Sequence, residues 1–328
     1  MQTKSGKENE DTALARTQPG RELSPILDRA SEFLHAAKAP NTVAAYRSDW
    51  EDFSGWCRAH GLSPLPASPE TVMAFVADLS GRRKVSTIQR RVAAISIAHQ
   101  AAGHESPTRT SLVRETLKGI RRTFGVDPRR VVPIRVEHLR EIAPKLEGSL
   151  QAIRDKALLL FGYAGAFRRS ELVSLNLEDL TFTQDGVRVN LRRSKTDQEG
   201  EGQVKGIGHG MNAVTCPVKA LQAWMEVAGI TSGPVFRAIS RHGQISEAPL
   251  SDKGIVLVVK RIAKRLGVAP DTVGGHSLRA GFVTDQYARG TAEGVIMQQT
   301  GHKSRAVLAQ YRREADAFAF NFTAAAGL

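Results

Sequence analysis

Four short elements in the second half of the chain carry side chains suited to attack on a phosphodiester. They are Gly165-Ala166-Phe167-Arg168-Arg169-Ser170-Glu171-Leu172, Arg193-Ser194-Lys195-Thr196, His276-Ser277-Leu278-Arg279, and Gly301-His302 followed by Tyr311. Cleaving a phosphodiester without a metal spreads negative charge over its nonbridging oxygens. Arginines clamp those oxygens bidentately and never lose their charge. The phenol of Tyr311 offers a nucleophile that becomes a phosphotyrosine. Its unperturbed pKa is about 10, so it needs a proton acceptor or strong local positive charge. The departing 5′ oxygen needs a proton, which Lys195 on a turn is suited to deliver. The energy of the broken bond is kept in the phosphotyrosine linkage, so rejoining needs no ATP. No HExxH, P-loop or Cys/His cluster occurs, and neither a metal nor another cofactor is expected.

Taken singly, each element has a plainer reading. Arg168 and Glu171 have the spacing of a surface ion pair, and Lys195 that of an ordinary turn lysine. His276 and His302 read equally as structural histidines, and Tyr311 as a half-buried core residue. What is specific is the order Arg, Lys, His-x-x-Arg, His, Tyr at these intervals.

The elements that must position these residues divide in two. From about residue 24 to 124 the apolar spacing is helical throughout. Asn41 is expected to cap a helix carrying Tyr46, Trp50, Phe53 and Cys57; Ser68-Pro69 starts the next. Ser86-Thr87-Ile88-Gln89 has capping-box form, with Ile88, Val92 and Ile95 facing inward, and Val113, Leu117 and Ile120 mark a last helix. Residues 125–133 (GVDPRRVVP) read as an exposed linker. Beyond it, helices are expected over about 136–146 and 149–164. Val187, Val189 and Leu191 alternate as a strand, with a turn and a short partner strand between Gly200 and Gly210. Helices then resume near Pro217 and continue to the C-terminus. The expected boundaries are a disordered tail at 1–22, a helical domain at 23–124, a linker at 125–133 and a mixed α+β domain at 134–328.

With 46 basic and 33 acidic residues the formal charge is +13 and the pI about 10.1, which favours a polyanionic partner, nucleic acid ahead of anionic membrane. Candidate DNA-facing residues are Thr42 and Arg47 on the second helix, and Lys84, Thr87, Arg90 and Arg91 on the fourth. Lys260, Arg261 and Lys264 lie opposite an inner stripe of Ile255, Val259, Ile262 and Leu266. Each set also reads as a solvated helix face. No apolar run approaches the roughly 18 residues of a membrane span. Cys57 and Cys216, far apart, read as reduced core thiols of a cytosolic protein.

On the HxLR and Gly-His…Tyr elements above all, the chain resembles the tyrosine recombinase, or phage integrase, family, which includes Cre and the Xer recombinases. The resemblance runs from about Pro25 to the end. It implies a mainly α fold with a small β-sheet, in which an N-terminal helical core-binding domain and a mixed catalytic domain clamp double-stranded DNA from opposite sides. It puts the first catalytic arginine at Arg168, with Arg169 as a neighbour at the wrong spacing to Glu171. The turn lysine falls at Lys195, the HxxR pair at His276 and Arg279, a further histidine at His302 and the nucleophile at Tyr311. It also implies a homotetramer on paired recombination sites, monomeric when free, in the bacterial cytoplasm on the nucleoid. The tail from Phe318 to Leu328 would then pack on a neighbouring protomer or fold back on its own. The chain departs from the family pattern at Ala280-Gly281, where many relatives have His-Thr or His-Ser, and at Arg313, where many have a histidine. Two other readings remain at this level. One is a catalytically silent DNA-binding regulator; the other is an enzyme of type IB topoisomerase kind.

Overall fold

The structure, a computed structural model, describes residues 40–125, 131–192 and 202–315. It is mainly helical with two small antiparallel sheets. The chain divides between Asp127 and Pro128 into two compact units. The expected roles of Lys195 and of the tail from Phe318 fall outside the described residues.

Among the described residues the first unit has the α-helices α1 (Pro40–Ala59), α2 (Pro69–Leu79), α3 (Val85–Ala101) and α4 (Ser111–Phe124). Phe53, Cys57, Val72, Phe75, Ile88, Ile95 and Val113 form its core, with Phe53 and Phe75 rings meeting edge to face at 5.1 Å. Ser68 caps α2 as its type predicts, accepting from the Thr71 N–H at 3.2 Å with Pro69 behind it. Two expected caps are corrected. Helix α1 already begins at Pro40, so Asn41 lies in its first turn, proline being favoured at that first position. Helix α3 starts after Lys84 with no side-chain cap, and the Ser86–Gln89 box lies inside it, because Val85 is already buried in the core.

One residue of the expected basic face of α3, Arg91, is also corrected, and its exposed neighbour Arg90 is ion-paired. Arg91 is buried and ion-paired to Asp52, with Asp49 at 3.6 Å. Arg90 donates from Nε and Nη2 to Asp49 at 2.7 and 3.0 Å. Asp49 sits in the interior, and a buried carboxylate persists only when paired. The sequence separation of 41 residues hid these partners from any helical-face argument. Arg47 and Lys84 remain exposed, while Thr42 and Thr87 are half-buried.

The second unit contains α5 (Val136–Ile142), α6 (Leu150–Ala164), α7 (Arg169–Val173), β1 (Leu180–Thr183), β2 (Gly186–Leu191), β3 (Gln203–Gly208), α8 (Pro217–Val227), β4 (Arg237–Ile239), β5 (Ile245–Pro249), α9 (Asp252–Arg265), α10 (Ser277–Ala288), α11 (Glu293–Thr300) and α12 (Arg305–Ala315). Helix α6 is capped by Ser149 and lined by Leu158, Leu159 and Phe161. It runs through a core shared with Leu221 and Trp224 of α8 and Leu278 of α10. The first sheet has the order β1-β2-β3, with Val187 opposite Ile207 and Val189 opposite Lys205. Val187, Val189 and Leu191 point inward, as their alternation requires.

Strand β1 and the β4–β5 hairpin were not expected, and the hairpin interrupts the helical run after Pro217. Neither carries a clean inward apolar phase, since each is mostly partly buried or exposed, so no alternation marked them. On α9, Ile255, Val258, Val259, Ile262 and Ala263 are buried. Arg261 leaves the expected basic face: it pairs with buried Asp155, which Arg154 also holds at 2.9 Å. Lys264 is exposed and Lys260 half-buried. Both cysteines are buried and free. Among the described residues no helix is long and apolar enough to cross a membrane.

The Ala280-Gly281 departure has a steric reason. The segment before α5 lies along α10, with the Ile134 N–H donating to Ser277 O at 3.0 Å. A Cβ at Gly281 would fall 1.8 Å from the Ile134 carbonyl oxygen. Overpacking costs about 1–3 kcal/mol, and here the obstacle is backbone, which yields less than a side chain. Gly281→Ala should therefore lower stability by about 2 kcal/mol or more, read as a drop in the thermal unfolding midpoint. An unchanged midpoint would mean that the segment does not lie this close to α10.

Candidate active site

Arg168 stands at the N-cap of α7, and Glu171 is three residues on. The Glu171 carboxylate accepts from the Arg168 backbone N–H at 2.8 Å and from its Nη1 at 2.6 Å. The Arg-x-x-Glu spacing is thus a helix cap and an ion pair at once. Arg168 Nη2 reaches the Gly301 carbonyl at 3.4 Å. Gly301 takes a left-handed conformation (φ 67°) that ends α11 and turns the chain toward His302. Arg169 goes elsewhere and pairs with Asp252 at 3.1 Å.

The turn between α6 and α7 is strained. Ala166 has φ 46°, the one positive φ at a non-glycine among the described residues, and it is fully buried. Its carbonyl accepts from Arg279 Nη1 at 2.7 Å, which explains why the turn is held there. Arg279 itself has no solvent exposure, and its Nε has no hydrogen-bond partner among the described residues. Burial, then the charge of Arg168, lowers its pKa to about 10, so it remains a cation at neutral pH.

Arg279 Nη2 donates to His302 Nε2 at 3.2 Å. A guanidinium only donates, so Nε2 accepts and the imidazole proton sits on Nδ1. That proton goes to Thr300 Oγ1 at 2.8 Å, and the hydroxyl donates in turn to Ile296 O at 2.6 Å. Burial, then the Arg279 charge, pushes the His302 pKa down to about 3. His276, at the N-cap of α10, has Nε2 3.1 Å from Tyr311 Oη. Tyr311 is half-buried on α12 against the small cluster of Val283, Ile296 and Leu308. Its ring lies 6.3 Å from that of His302.

Five of the residues expected to do chemistry, Arg168, His276, Arg279, His302 and Tyr311, therefore converge, with Glu171 beneath them. Sequence reasoning missed Lys205. Its fully buried side chain donates from Nζ to Gly165 O at 2.8 Å and lies 3.7 Å from Glu171 Oε2. Burial, with help from Arg279 and Arg168 and against Glu171, lowers its pKa to about 8. Burial works to raise the Glu171 carboxyl, but Lys205 and Arg168 outweigh it and hold it below the usual range. The available signal was that Lys205 shares the inward phase of β3 with Ile207, while Val204 points out. Gln299 was also missed; its amide donates to Ala164 O and Gly206 O at 3.0 and 3.2 Å, joining α11 to α6 and β3. Among the described residues no group of His, Cys, Asp and Glu has the composition of a metal site.

The electrostatics of His302 make a direct prediction. In the DNA-free protein its imidazole should stay neutral, protonated on Nδ1, from about pH 8 down to about pH 5, read from ring resonances by NMR. Its folded pKa lies below the unfolded value of about 6.5, so it weakens the fold as pH falls from there toward about 3. A titration midpoint near 6.5 would contradict the burial and the Arg279 contact together.

Residues 132–317 match the model of the phage integrase family. An integrase/recombinase XerD homologue of Selenomonas ruminantium is 42% identical over 297 residues, covering 89% of this chain and 87% of that protein. The tyrosine recombinase XerC of Roseiflexus castenholzii is 29% identical over 273 residues, with 80% of each chain covered. Among solved structures, a lambda integrase dimer bound to a COC′ core site aligns with a TM-score of 0.61 at 20% identity, over 90% of this chain and 96% of that one. That likeness concerns the fold. The length of the family match and the identity to the Selenomonas protein decide the rest: the chain belongs to the phage integrase family and is a tyrosine recombinase, an enzyme that cleaves and rejoins DNA.

Proposed function

We propose that Tyr311 is the nucleophile of this recombinase and that Arg168 and Arg279 hold the scissile phosphate. The observation that carries the reading is the phenol 3.1 Å from His276 Nε2, in a cluster with His302, with Arg279 against His302 and with Arg168 on the Gly301 carbonyl. His276 takes the phenolic proton as the Tyr311 oxygen attacks phosphorus. The P–O5′ bond breaks, the 3′ phosphate stays on Tyr311, and the 5′ oxygen leaves with a proton from Lys195. Neutral His302 orients Arg279 through its Nε2 lone pair. Rejoining is the reverse, with a 5′ hydroxyl attacking the phosphotyrosine. The two arginines supply charge stabilisation, and no metal or ATP enters.

On DNA the protein acts as a homotetramer bridging two recombination sites, and it is monomeric when free. Residues 23–124 form the core-binding domain and 134–328 the catalytic domain. Arg47, Lys84 and Lys264 track the DNA backbone, supported by their exposure and the charge of +13. Thr42, Thr87 and Lys260 sit at the margin of those faces. The tail from Phe318 docks on a neighbouring protomer and so couples Tyr311 to it. The enzyme works in the bacterial cytoplasm, where its DNA substrate is.

Tyr311→Phe should abolish the denaturant-resistant DNA adduct and leave the gel-shift affinity within about 2-fold, since only the nucleophilic oxygen is lost. An adduct that persists sinks the assignment. Lys195→Ala should slow cleavage of ordinary DNA, and a substrate with sulfur at the bridging 5′ position should restore the rate, because thiolate leaves without a proton. Absence of rescue would make Lys195 a DNA-positioning group. Relaxation of supercoils without exchange between paired sites would instead favour an activity of type IB topoisomerase kind.

A further inference from the structure

Strand β3 places a lysine where an apolar residue would pack. Lys205 faces inward with Ile207, opposite fully buried Val189, and its side chain has no exposure. Taking an ammonium out of water is unfavourable, and an aliphatic side chain would fill the space without that penalty. Packing therefore does not account for it. Its contacts do point one way. Nζ donates to Gly165 O at 2.8 Å, stands 3.7 Å from Glu171 Oε2, and lies 4.8 Å from the centre of the Phe167 ring. All three partners belong to the short stretch that carries Arg168.

We propose that Lys205 is a positioning residue for the two phosphate-binding arginines, fastening the 165–168 turn and the Glu171 carboxylate to the sheet. The inference rests on the assignment of Tyr311, Arg168 and Arg279 made above. Lys205 holds the Gly165 carbonyl, and the next carbonyl along, that of Ala166, holds Arg279 at 2.7 Å. Ala166 is in a left-handed conformation that alanine does not favour, so the turn needs an external restraint. Glu171 faces Lys205 on one oxygen and Arg168 on the other, so the ammonium keeps the carboxylate charged and aimed. A shift of this one peptide segment would move both guanidinium groups away from a common phosphate. Lys205 itself is walled off by Phe167 and touches no substrate; it acts through Arg168 and Arg279.

The test uses the full chain and a nicked duplex from the DNA flanking its coding region, chosen because the wild-type protein forms an adduct on it. Adduct formation is timed at saturating protein, and affinity is measured separately by gel shift. Lys205→Met should slow adduct formation about 10- to 100-fold, the usual effect of losing an outer group that orients active residues. Affinity should stay within about 2-fold, because phosphate contacts along the duplex are untouched. In an Arg168→Lys background the same substitution should cost a clearly smaller factor than in the wild-type background, since one of the two arginines it positions is already gone and only the Arg279 part of its role remains. A residue that merely supports the fold would cost the same in both backgrounds. Lys205→Gln, which keeps a donor for Gly165 O but not the charge, is made in parallel in case the methionine variant does not fold. A folded variant of either kind that cleaves at the wild-type rate, or equal losses in the two backgrounds, overturns the proposal. So does failure of both variants to fold, which would make Lys205 a general support. Failure of the wild-type protein to form an adduct on any flanking duplex would instead overturn the underlying assignment.

Discussion

One carboxylate, that of Glu171, is shared between Arg168 and Lys205, and the geometry of the site hangs on it. It caps α7 through a backbone N–H, fixes the Arg168 guanidinium, and offers buried Lys205 an opposite charge. Three demands are met by one side chain because α7 begins where the strained turn ends. A helix N-terminus welcomes an anion, and this anion in turn serves two cations, the Arg168 guanidinium on one oxygen and the Lys205 ammonium on the other. Without it, Lys205, Arg168 and Arg279 would repel one another in a largely dry interior, where such repulsion is weakly screened.

Around this carboxylate the site is built from backbone as much as from side chains. The carbonyls of Gly165, Ala166 and Gly301 each accept from a cation, so the site's positive groups are aimed by peptide oxygens. Helix α11 is tied to β3 and α6 by Gln299, and to β3 again by the Gln203 amide, which donates to Gln298 O at 2.8 Å. The His302 turn and the arginine turn therefore share one base. Gly281 allows the segment before α5 to press on α10, which carries Arg279. These links preorganise positive charge before any phosphate arrives, which is the form of stabilisation that costs no rearrangement during reaction.

The first unit shows how an apparent binding face can be partly taken up by ion pairs, with one of its arginines buried. Arg90 and Arg91 look like a basic helix face, yet Asp49 and Asp52 on α1 take them up. Arg261 meets the same fate with Asp155 in the second unit. Asp49 and Asp155 are themselves buried, and each draws in a cation from a distant element, while the more exposed Asp52 completes the pairing of Arg91. Net charge survives this pairing, so the excess of cations over anions still marks a nucleic-acid binder. What changes is which cations face solvent.

The chain's own sequence determined the helical character of the first unit, the Val187–Leu191 strand with its partner, the Ser68 cap, and the ordered set of residues from Arg168 to Tyr311. These follow from local rules: apolar period, capping chemistry, and side-chain types that only phosphoryl chemistry needs together. The edge strand β1 and the β4–β5 hairpin left no such trace, because their residues lack a buried alternate face. Tertiary structure alone decided which backbone carbonyl holds Arg168, that Lys205 lies beneath the site, that Arg91 is buried, and that His302 is neutral. Each depends on a partner from another element, at separations such as 40 residues for Lys205 and Gly165 and 133 for Arg168 and Gly301. Periodicity reports which face of an element is apolar. It carries no record of which distant carboxylate or carbonyl will be waiting there, and burial with pairing is what sets a charge's position and its proton.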